Sequence, residues 1–124
     1  MHRSSRWIAQ ALSAQLHGND VEVTGTVETD SREIRQGSLF VARRGENSDG
    51  HDYLGAAERN GAVAAIVEHL CDSPLTQIIV EDSTIALGEL ARAYLSDLRS
   101  HQKLDVIAMT GSVGKTTTKD LLAA

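Results

Sequence analysis

The stretch that decides the fold is residues 106–117, which read VIAMTGSVGKTT. Its first four residues form a continuous apolar run, which is typical of a strand buried on both faces of a parallel sheet. The glycines and the Lys115-Thr116 pair that follow, ahead of a predicted helix, match a phosphate-binding loop. In such a loop successive main-chain N–H groups point at phosphate oxygens, and the helix N-terminus adds partial positive charge. The pattern therefore predicts an ATP-binding site.

Each residue of this loop receives an expected role. Lys115 is expected against the β and γ phosphates of ATP, and the Thr116 hydroxyl is expected to complete the shell of a Mg²⁺ ion. These two are the predicted catalytic residues, with Thr116 as metal ligand. Met109 stands where the general G-x-x-x-x-G-K-[ST] pattern has its first glycine. The predicted nucleotide-binding set is Gly111, Ser112, Val113, Gly114, Lys115, Thr116 and Thr117.

Upstream of the loop, the apolar pattern alternates between helices and strands. A first helix is predicted with Ile8, Leu12 and Leu16 on one face. A second is predicted over 53–60, capped by Asp52 and ended by Gly61. A third starts at Asp82 or Ser83. The predicted strands cover residues 21–27, 39–42, 62–67 and 77–80.

The chain divides at the polar run 100–103, which we interpret as a joint between two domains. Residues 1–103 are predicted to form a small mixed α/β substrate domain. Residues 104–124 are predicted to be the first strand, phosphate loop and helix of a parallel-sheet ATPase domain. A lone strand, loop and helix cannot bury their own apolar faces. We therefore expect the natural protein to continue beyond residue 124.

Composition excludes several classes of function. The 124 residues are 41% hydrophobic, which is enough for one core, and the net charge of -5 comes without a dense basic stretch. The electrostatic footprint of a nucleic-acid-binding protein is therefore lacking. No apolar run approaches the ~20 residues of a membrane span. Cys71 is the single cysteine, which suits a reducing cytoplasm, and it is predicted to be a small buried hydrophobe.

These features resemble the Mur ligases, the ATP-dependent amide-bond-forming enzymes of peptidoglycan precursor synthesis. The phosphate loop of that family typically lacks its first glycine, in agreement with Met109. A second stretch resembles the N-terminal domain shared by the two later-acting members, which holds the UDP end of the nucleotide-sugar substrate. It consists of TDSR at 29–32, GSLFVA at 37–42, Gly45, DGHD at 49–52 and NGA at 60–62.

The resemblance also implies a reaction. Gly111-Ser112 and residues 117–120 most resemble the members that add D-alanyl-D-alanine to a UDP-N-acetylmuramoyl-tripeptide. In those ligases ATP phosphorylates the substrate carboxylate, an amine attacks the acyl phosphate, and ADP and phosphate leave. A monomer is expected. Other functional parts of the family, including the amine-binding domain, lie further along the chain. We therefore expect these 124 residues to have no ligase activity by themselves.

Four residues are predicted to bind substrate: Ser31, Arg32, Gly50 and His51. The Ser31 hydroxyl and the Arg32 guanidinium suit a diphosphate or ribose, and the alternative is an Asx turn with a solvated arginine. His51 is interpreted either as a uracil-side contact or as part of a helix start. A metal site at 49–52 is rejected, because these residues are nearly contiguous and no second ligand cluster is apparent. His69 is expected to be isolated at the surface.

Three other functions stay open. The chain could be the preceding Mur ligase, which adds the third amino acid and tends to have Thr-Asn where Ser112-Val113 stand. It could be a folylpolyglutamate-synthase-like ligase, which shares the central domain, although the block of residues 30–32 and 39–42 argues against this. It could also be a non-catalytic module in which residues 1–103 only recruit a UDP-sugar. Affinity for UDP-N-acetylmuramoyl peptide or for folate would separate the second function from the others.

Overall fold

The computed structural model describes residues 1–43 and 49–102. Two 3₁₀ helices cover Ser31–Glu33 and Gly50–Tyr53. The strands and α-helices follow in chain order as β1 (Arg3–Ser4), α1 (Ser5–Ala11), β2 (Gln15–His17), β3 (Glu22–Val23), β4 (Val27–Glu28), β5 (Leu39–Val41), α2 (Leu54–Asn60), β6 (Ala64–Val67), β7 (Thr76–Ile79) and α3 (Ser83–Gln102).

The main sheet of the described part has the strand order β2-β7-β6-β5-β4. Strands β4, β5, β6 and β7 run parallel to their neighbours, and β2 is antiparallel to β7 at one edge. A separate antiparallel pair joins β1 to β3. Because β4, β5, β6 and β7 run parallel to one another, their carboxyl ends lie together along one edge of the sheet, which we call the carboxyl edge.

Helices cover both faces of this sheet, as its apolar strands require. Leu39 and Val41 of β5 belong to the core that α1 and α3 cover, whereas Phe40 between them belongs to the core under α2. All three side chains are at most 1% exposed. Alternate residues of a strand point to opposite faces, so a short apolar strand supplies both cores. The predicted mixed α/β fold class is confirmed.

The first helix is shorter than its apolar spacing predicts. It ends at Ala11, and Ser13 follows in the left-handed region with φ 51°. The Ala14 N–H donates to the Ala9 carbonyl at 2.8 Å, and the Ser13 N–H donates to the carbonyl of residue 10. This pair of bonds is a Schellman termination. Leu16, which was expected on the helix face, therefore lies in β2 opposite Ile78.

The predicted strand 21–27 is two short strands in different sheets. β3 pairs with β1, and β4 pairs with β5. Between them the N–H groups of Thr24 and Gly25 both donate to the Gly37 carbonyl, at 3.1 and 2.9 Å. A Cβ on Gly25 would lie 2.9 Å from the Gln36 carbonyl oxygen. The chain therefore passes between the sheets at a close contact that alternating hydrophobicity does not reveal.

The second helix begins later than predicted, because Asp49 rather than Asp52 caps the segment. The Asp49 carboxylate accepts the His51 N–H, a 3₁₀ helix follows, and α2 starts at Leu54. The predicted end at Gly61 is confirmed: its φ is +116°, and its N–H donates to the Glu58 carbonyl at 3.0 Å.

The third helix starts where the sequence predicts. The Asp82 carboxylate accepts the N–H groups of Thr84 and Ile85, at 2.9 and 3.1 Å, and so caps α3. The polar run interpreted as a joint is helical as far as Gln102. The domain boundary at residue 103 and the predicted strand, loop and helix of 104–124 lie outside the described residues, so this division of the chain stays a prediction.

Candidate substrate-binding site

The carboxyl edge of the sheet gathers the predicted substrate residues. Each parallel strand ends there in polar residues: β4 leads to Ser31 and Arg32, and β5 leads by way of Arg43 to the segment with Gly50 and His51. Glu68 follows β6 directly. Ligands of open parallel sheets bind in the crevice outside the carboxyl ends of the strands. The topology therefore brings both predicted substrate motifs to the edge where such sheets bind ligands.

The first motif forms a capped turn, which we call the Asp30 turn (Asp30 with Ser31–Glu33). The Asp30 carboxylate accepts the Arg32 N–H at 2.9 Å and binds the Arg32 guanidinium at 2.8 and 3.1 Å. Ser31 is 9% exposed, whereas the Arg32 side chain is 87% exposed. The bond and the charge of Asp30 raise the pKa of Arg32. The turn is thus of the Asx type that the alternative interpretation describes, and it presents a permanent cation at the surface, so substrate binding by Ser31 and Arg32 stays a prediction.

The second motif repeats this design in the Asp49 turn (Asp49 with Gly50–Tyr53). The Asp49 carboxylate accepts the His51 N–H at 3.0 Å. Gly50 packs so closely on Arg43 that a Cβ would lie 2.6 Å from its nitrogen. A glycine is therefore needed because main chain meets main chain at this point.

The His51 side chain is buried, and both of its ring nitrogens have partners. Nε2 accepts the Glu68 N–H at 2.8 Å, and Nδ1 lies 2.5 Å from the Asp49 carboxylate. A main-chain N–H can only donate, so Nε2 must be the bare nitrogen and Nδ1 must carry the proton. With 7% of its surface exposed, His51 fastens the Asp49 turn to β6. Of the two interpretations left open, the geometry favours the structural one.

The two turns share α2 as a common support. Both contact this helix, and the Asn60 amide at its end donates to the Ser31 carbonyl at 2.8 Å. One helix therefore supports both turns.

His69 lies beside the Asp49 turn and is not isolated, contrary to the expectation from sequence. Its ring stacks on that of His51, with 4.3 Å between centroids and 16° between planes. Side-chain atoms of Asp49, His51 and His69 lie within 4.8 Å of one another. However, a metal at His51 would have to displace one of the two hydrogen bonds described above. We therefore interpret these three residues as a hydrogen-bonded and stacked group.

Cys71 lies in the loop that closes this end of the sheet. It is half-buried and packs against the α2 core, so it is less buried than the predicted small buried hydrophobe. Its N–H donates to the side chain of Gln77 at 2.8 Å. Burial, and then the charges of Asp49 and Asp52, raise the pKa of its thiol. The thiolate is disfavoured at neutral pH, and nucleophilic chemistry is not expected here.

Sequence reasoning did not single out Glu68. Its Oε2 atom accepts the N–H and the hydroxyl of Ser83, at 2.9 and 3.1 Å, at the start of α3. The available signal was an acidic residue directly after a buried apolar strand. Its partner was not readable, because Ser83 is fifteen residues away along the chain.

The nucleotide-binding prediction is not tested here. Residues 111–117, with the predicted catalytic Lys115 and the predicted metal ligand Thr116, lie outside the described residues. The helices of residues 1–43 and 49–102 include none that is long and apolar enough to cross a membrane.

Comparison with known proteins gives the family. Residues 23–108 match the family described as "Mur ligase family, catalytic domain". The match covers most of the candidate site, from β3 through α3.

Curated relatives belong to two ligase types. The UDP-N-acetylmuramoyl-tripeptide–D-alanyl-D-alanine ligase of Escherichia coli (strain K12) is 39% identical over 117 residues, which are 94% of this chain and 25% of that protein. The UDP-N-acetylmuramoyl-L-alanyl-D-glutamate–2,6-diaminopimelate ligase of Aquifex aeolicus (strain VF5) is 40% identical over 96 residues, covering 77% of this chain and 20% of that protein. The chain thus spans about a quarter of the length of the first of these relatives.

A solved structure agrees in fold. A crystal structure of MurF from Acinetobacter baumannii superposes with a TM-score of 0.66 and 30% sequence identity, over 73% of this chain and 20% of that one. Mur ligases are ATP-dependent ligases of peptidoglycan synthesis. By the family match, the relatives and the shared fold, this chain belongs to the Mur ligase family.

Proposed function

We propose that this chain is the N-terminal part of an ATP-dependent, ADP-forming ligase that adds D-alanyl-D-alanine to UDP-N-acetylmuramoyl-tripeptide. The relative in Escherichia coli, which carries that name, supports the choice of substrates by its 39% identity over 94% of the chain. The implied compartment is the cytoplasm, and the implied state is a monomer.

The carboxyl edge is the observation that carries the substrate assignment. It presents the exposed cation of Arg32 on an Asx turn, and the half-buried main chain at Gly50 lies in the Asp49 turn, which contacts the same helix α2. The Arg32 guanidinium binds Asp30 through Nε and Nη2, and its remaining N–H groups, on Nη1 and Nη2, can donate to phosphate oxygens of a UDP-sugar. We assign Arg32, Ser31 and Gly50 to contact with the nucleotide end. His51 is assigned to holding the Asp49 turn in place.

The phosphate loop is assigned to ATP. Bound ATP supplies the phosphoryl group that activates the substrate carboxylate for attack by the amine. Lys115 would hold the β and γ phosphates, and Thr116 would hold Mg²⁺. The main chain of residues 111–114 and the Thr117 hydroxyl complete the proposed set. The amine-binding part would have to come from the longer protein, so the 124 residues alone are expected to catalyse no ligation.

The runner-up is the ligase that adds the third amino acid. It is favoured by one observation, the 40% identity to the 2,6-diaminopimelate ligase of Aquifex aeolicus. The two ligases share the UDP end of the substrate and differ at the peptide and the amine. The carboxyl edge of the sheet therefore serves both functions equally.

A paired-substrate assay on the longer protein tests the proposal. The enzyme is supplied with Mg-ATP and either the tripeptide substrate with D-alanyl-D-alanine, or the dipeptide substrate with 2,6-diaminopimelate. ADP formation and product mass are measured. Turnover only with the first pair supports the proposal, and turnover only with the second establishes the runner-up. UDP-substrate binding without turnover in either pair would indicate a non-catalytic module.

Two substitutions in the same assay test the site residues. Arg32→Ala is expected to raise KM for the UDP substrate about tenfold with little change in kcat, since it removes ground-state binding. Arg6→Ala is the matched control, because that residue is also exposed but lies on α1. Lys115→Ala is expected to abolish turnover. Full activity of the Lys115 variant would refute the assignment of the phosphate loop.

A further inference from the structure

We infer that Glu68 is a positioning residue. Its side chain is bound at the start of α3, and it sets the orientation and the tautomer of His51. This inference rests on the proposed function, because it concerns the same edge of the sheet. Glu68 forms these bonds with both its main chain and its side chain. Its main-chain N–H donates to His51 Nε2 at 2.8 Å, while its carboxylate binds Ser83.

The carboxylate end of this connection is fixed firmly. Glu68 Oε2 accepts both the N–H and the hydroxyl of Ser83, and Ser83 is 1% exposed. The next two N–H groups of α3 are taken by Asp82. The start of α3 is thus occupied by two carboxylates, which its partial positive charge favours. Glu68 is held to a helix that packs against the main core.

The main-chain end determines the state of His51. The Glu68 N–H requires a bare Nε2, so Nδ1 carries the hydrogen and donates it in a hydrogen bond to the Asp49 carboxylate. If Glu68 moves, the N–H no longer selects this tautomer, and the ring loses its second anchor. The Asp49 turn would then keep the stack of His51 on His69 and the bond from the Gly50 N–H to the Arg43 carbonyl.

These bonds therefore link α3 to the Asp49 turn in three steps. Ser83 of α3 binds the Glu68 carboxylate, the Glu68 N–H binds the His51 ring, and the ring binds Asp49. Glu68 is half-buried and reaches the turn only through His51. We accordingly expect Glu68 to affect substrate binding without contact to the substrate.

The test uses the 124-residue chain with ¹⁵N-labelled histidine. Long-range ¹⁵N–¹H NMR spectra show which ring nitrogen of His51 carries the proton, and titration with uridine diphosphate gives a Kd. Three variants are compared: Glu68→Ala, Glu68→Gln and Glu89→Ala. Glu68→Gln keeps an oxygen that can accept the Ser83 N–H. Glu89→Ala removes the same charge from an exposed position on α3.

The wild type and Glu89→Ala are expected to show a bare Nε2 and a protonated Nδ1. Glu68→Ala is expected to lose this pattern and to weaken uridine diphosphate binding about tenfold, the size of one charge-assisted hydrogen bond. Glu68→Gln is expected to retain most of the His51 protonation pattern and most of the affinity for uridine diphosphate. A proton on Nε2 in the wild type, or an unchanged His51 spectrum in Glu68→Ala, would overturn the inference.

The two proposals can fail separately. If Glu68→Ala changes the His51 spectrum but leaves the Kd unchanged, the positioning of His51 stands and the substrate role of this edge is wrong. If Arg32→Ala weakens binding while Glu68→Ala changes neither readout, the substrate site stands and the role of Glu68 is wrong.

Discussion

Replacing His51 by phenylalanine tests whether this residue fastens the Asp49 turn through hydrogen bonds. The new ring keeps the stack on His69, with 4.3 Å between centroids at present. It removes both bonds, the one to Asp49 and the one from the Glu68 N–H. A buried donor left without an acceptor costs about 1–3 kcal/mol. The bond to Asp49 adds less, because that side chain is 32% exposed.

We therefore expect His51→Phe to lower the free energy of unfolding by about 2 kcal/mol. Urea unfolding followed by circular dichroism measures this change. With a slope of about 2 kcal/mol per molar urea, the midpoint should fall by about 1 M at unchanged slope. The control is His69→Phe, which keeps the same stack from its exposed side and should change stability by less than about 0.5 kcal/mol. Equal midpoints for the two variants would refute the reasoning.

Two further predictions concern the frame of the site. Gly61→Ala should destabilise the fold by about 1–3 kcal/mol, because φ is +116° and a Cβ would lie 2.7 Å from Gln36 Cα. The control is Gly55→Ala inside α2, which should stabilise the fold slightly. Thermal unfolding measures both changes, and equal effects would contradict the prediction. The pKa of Asp20 is lowered by the hydrogen bond from the Arg6 main-chain N–H and then by the bond from the Ser5 hydroxyl. Its stabilising effect is therefore complete above the ordinary carboxyl pKa and lost as pH falls through the lowered value. Asp20→Asn should unfold more easily than wild type at neutral pH, with a gap that closes in acid; a gap independent of pH would count against it.

The elements that depend on local chemistry were predictable from the sequence. Gly61 ends α2 because only a residue without a Cβ tolerates that backbone, and Asp82 caps α3 because a carboxylate can accept the first N–H groups. The apolar run 39–42 was also predictable as a buried strand. A strand that is buried on both faces has apolar residues at every position, without alternation between apolar and polar residues.

The errors at Leu16 and at residues 21–27 share a physical cause, which is contact between distant parts of the chain. The end of α1 at Ala11 is followed by Leu16 pairing with Ile78 in a strand. Ile8, Leu12 and Leu16 do follow a helical spacing, but Leu16 lies in a strand because it pairs with Ile78 across the sheet.

The candidate site was predictable as motifs and not as an arrangement. Asp30 and Asp49 each begin a sequence that favours an Asx turn. Their common position follows only from the parallel order of β4, β5 and β6. The sequence left His51 open between a uracil-side contact and part of a helix start, because a histidine in a polar segment carries no sign of burial. Its partner Glu68 is seventeen residues away.

The most direct test of the account is a titration of the ¹⁵N-labelled chain with uridine diphosphate, followed by amide NMR shifts. The account predicts that the shifts concentrate at the carboxyl edge, in residues 29–33, 42–43 and 49–53, with little change in α1. Shifts confined to α1 and the opposite edge of the sheet, or no saturable change at millimolar nucleotide, would contradict the claim that this edge binds the UDP end of the substrate.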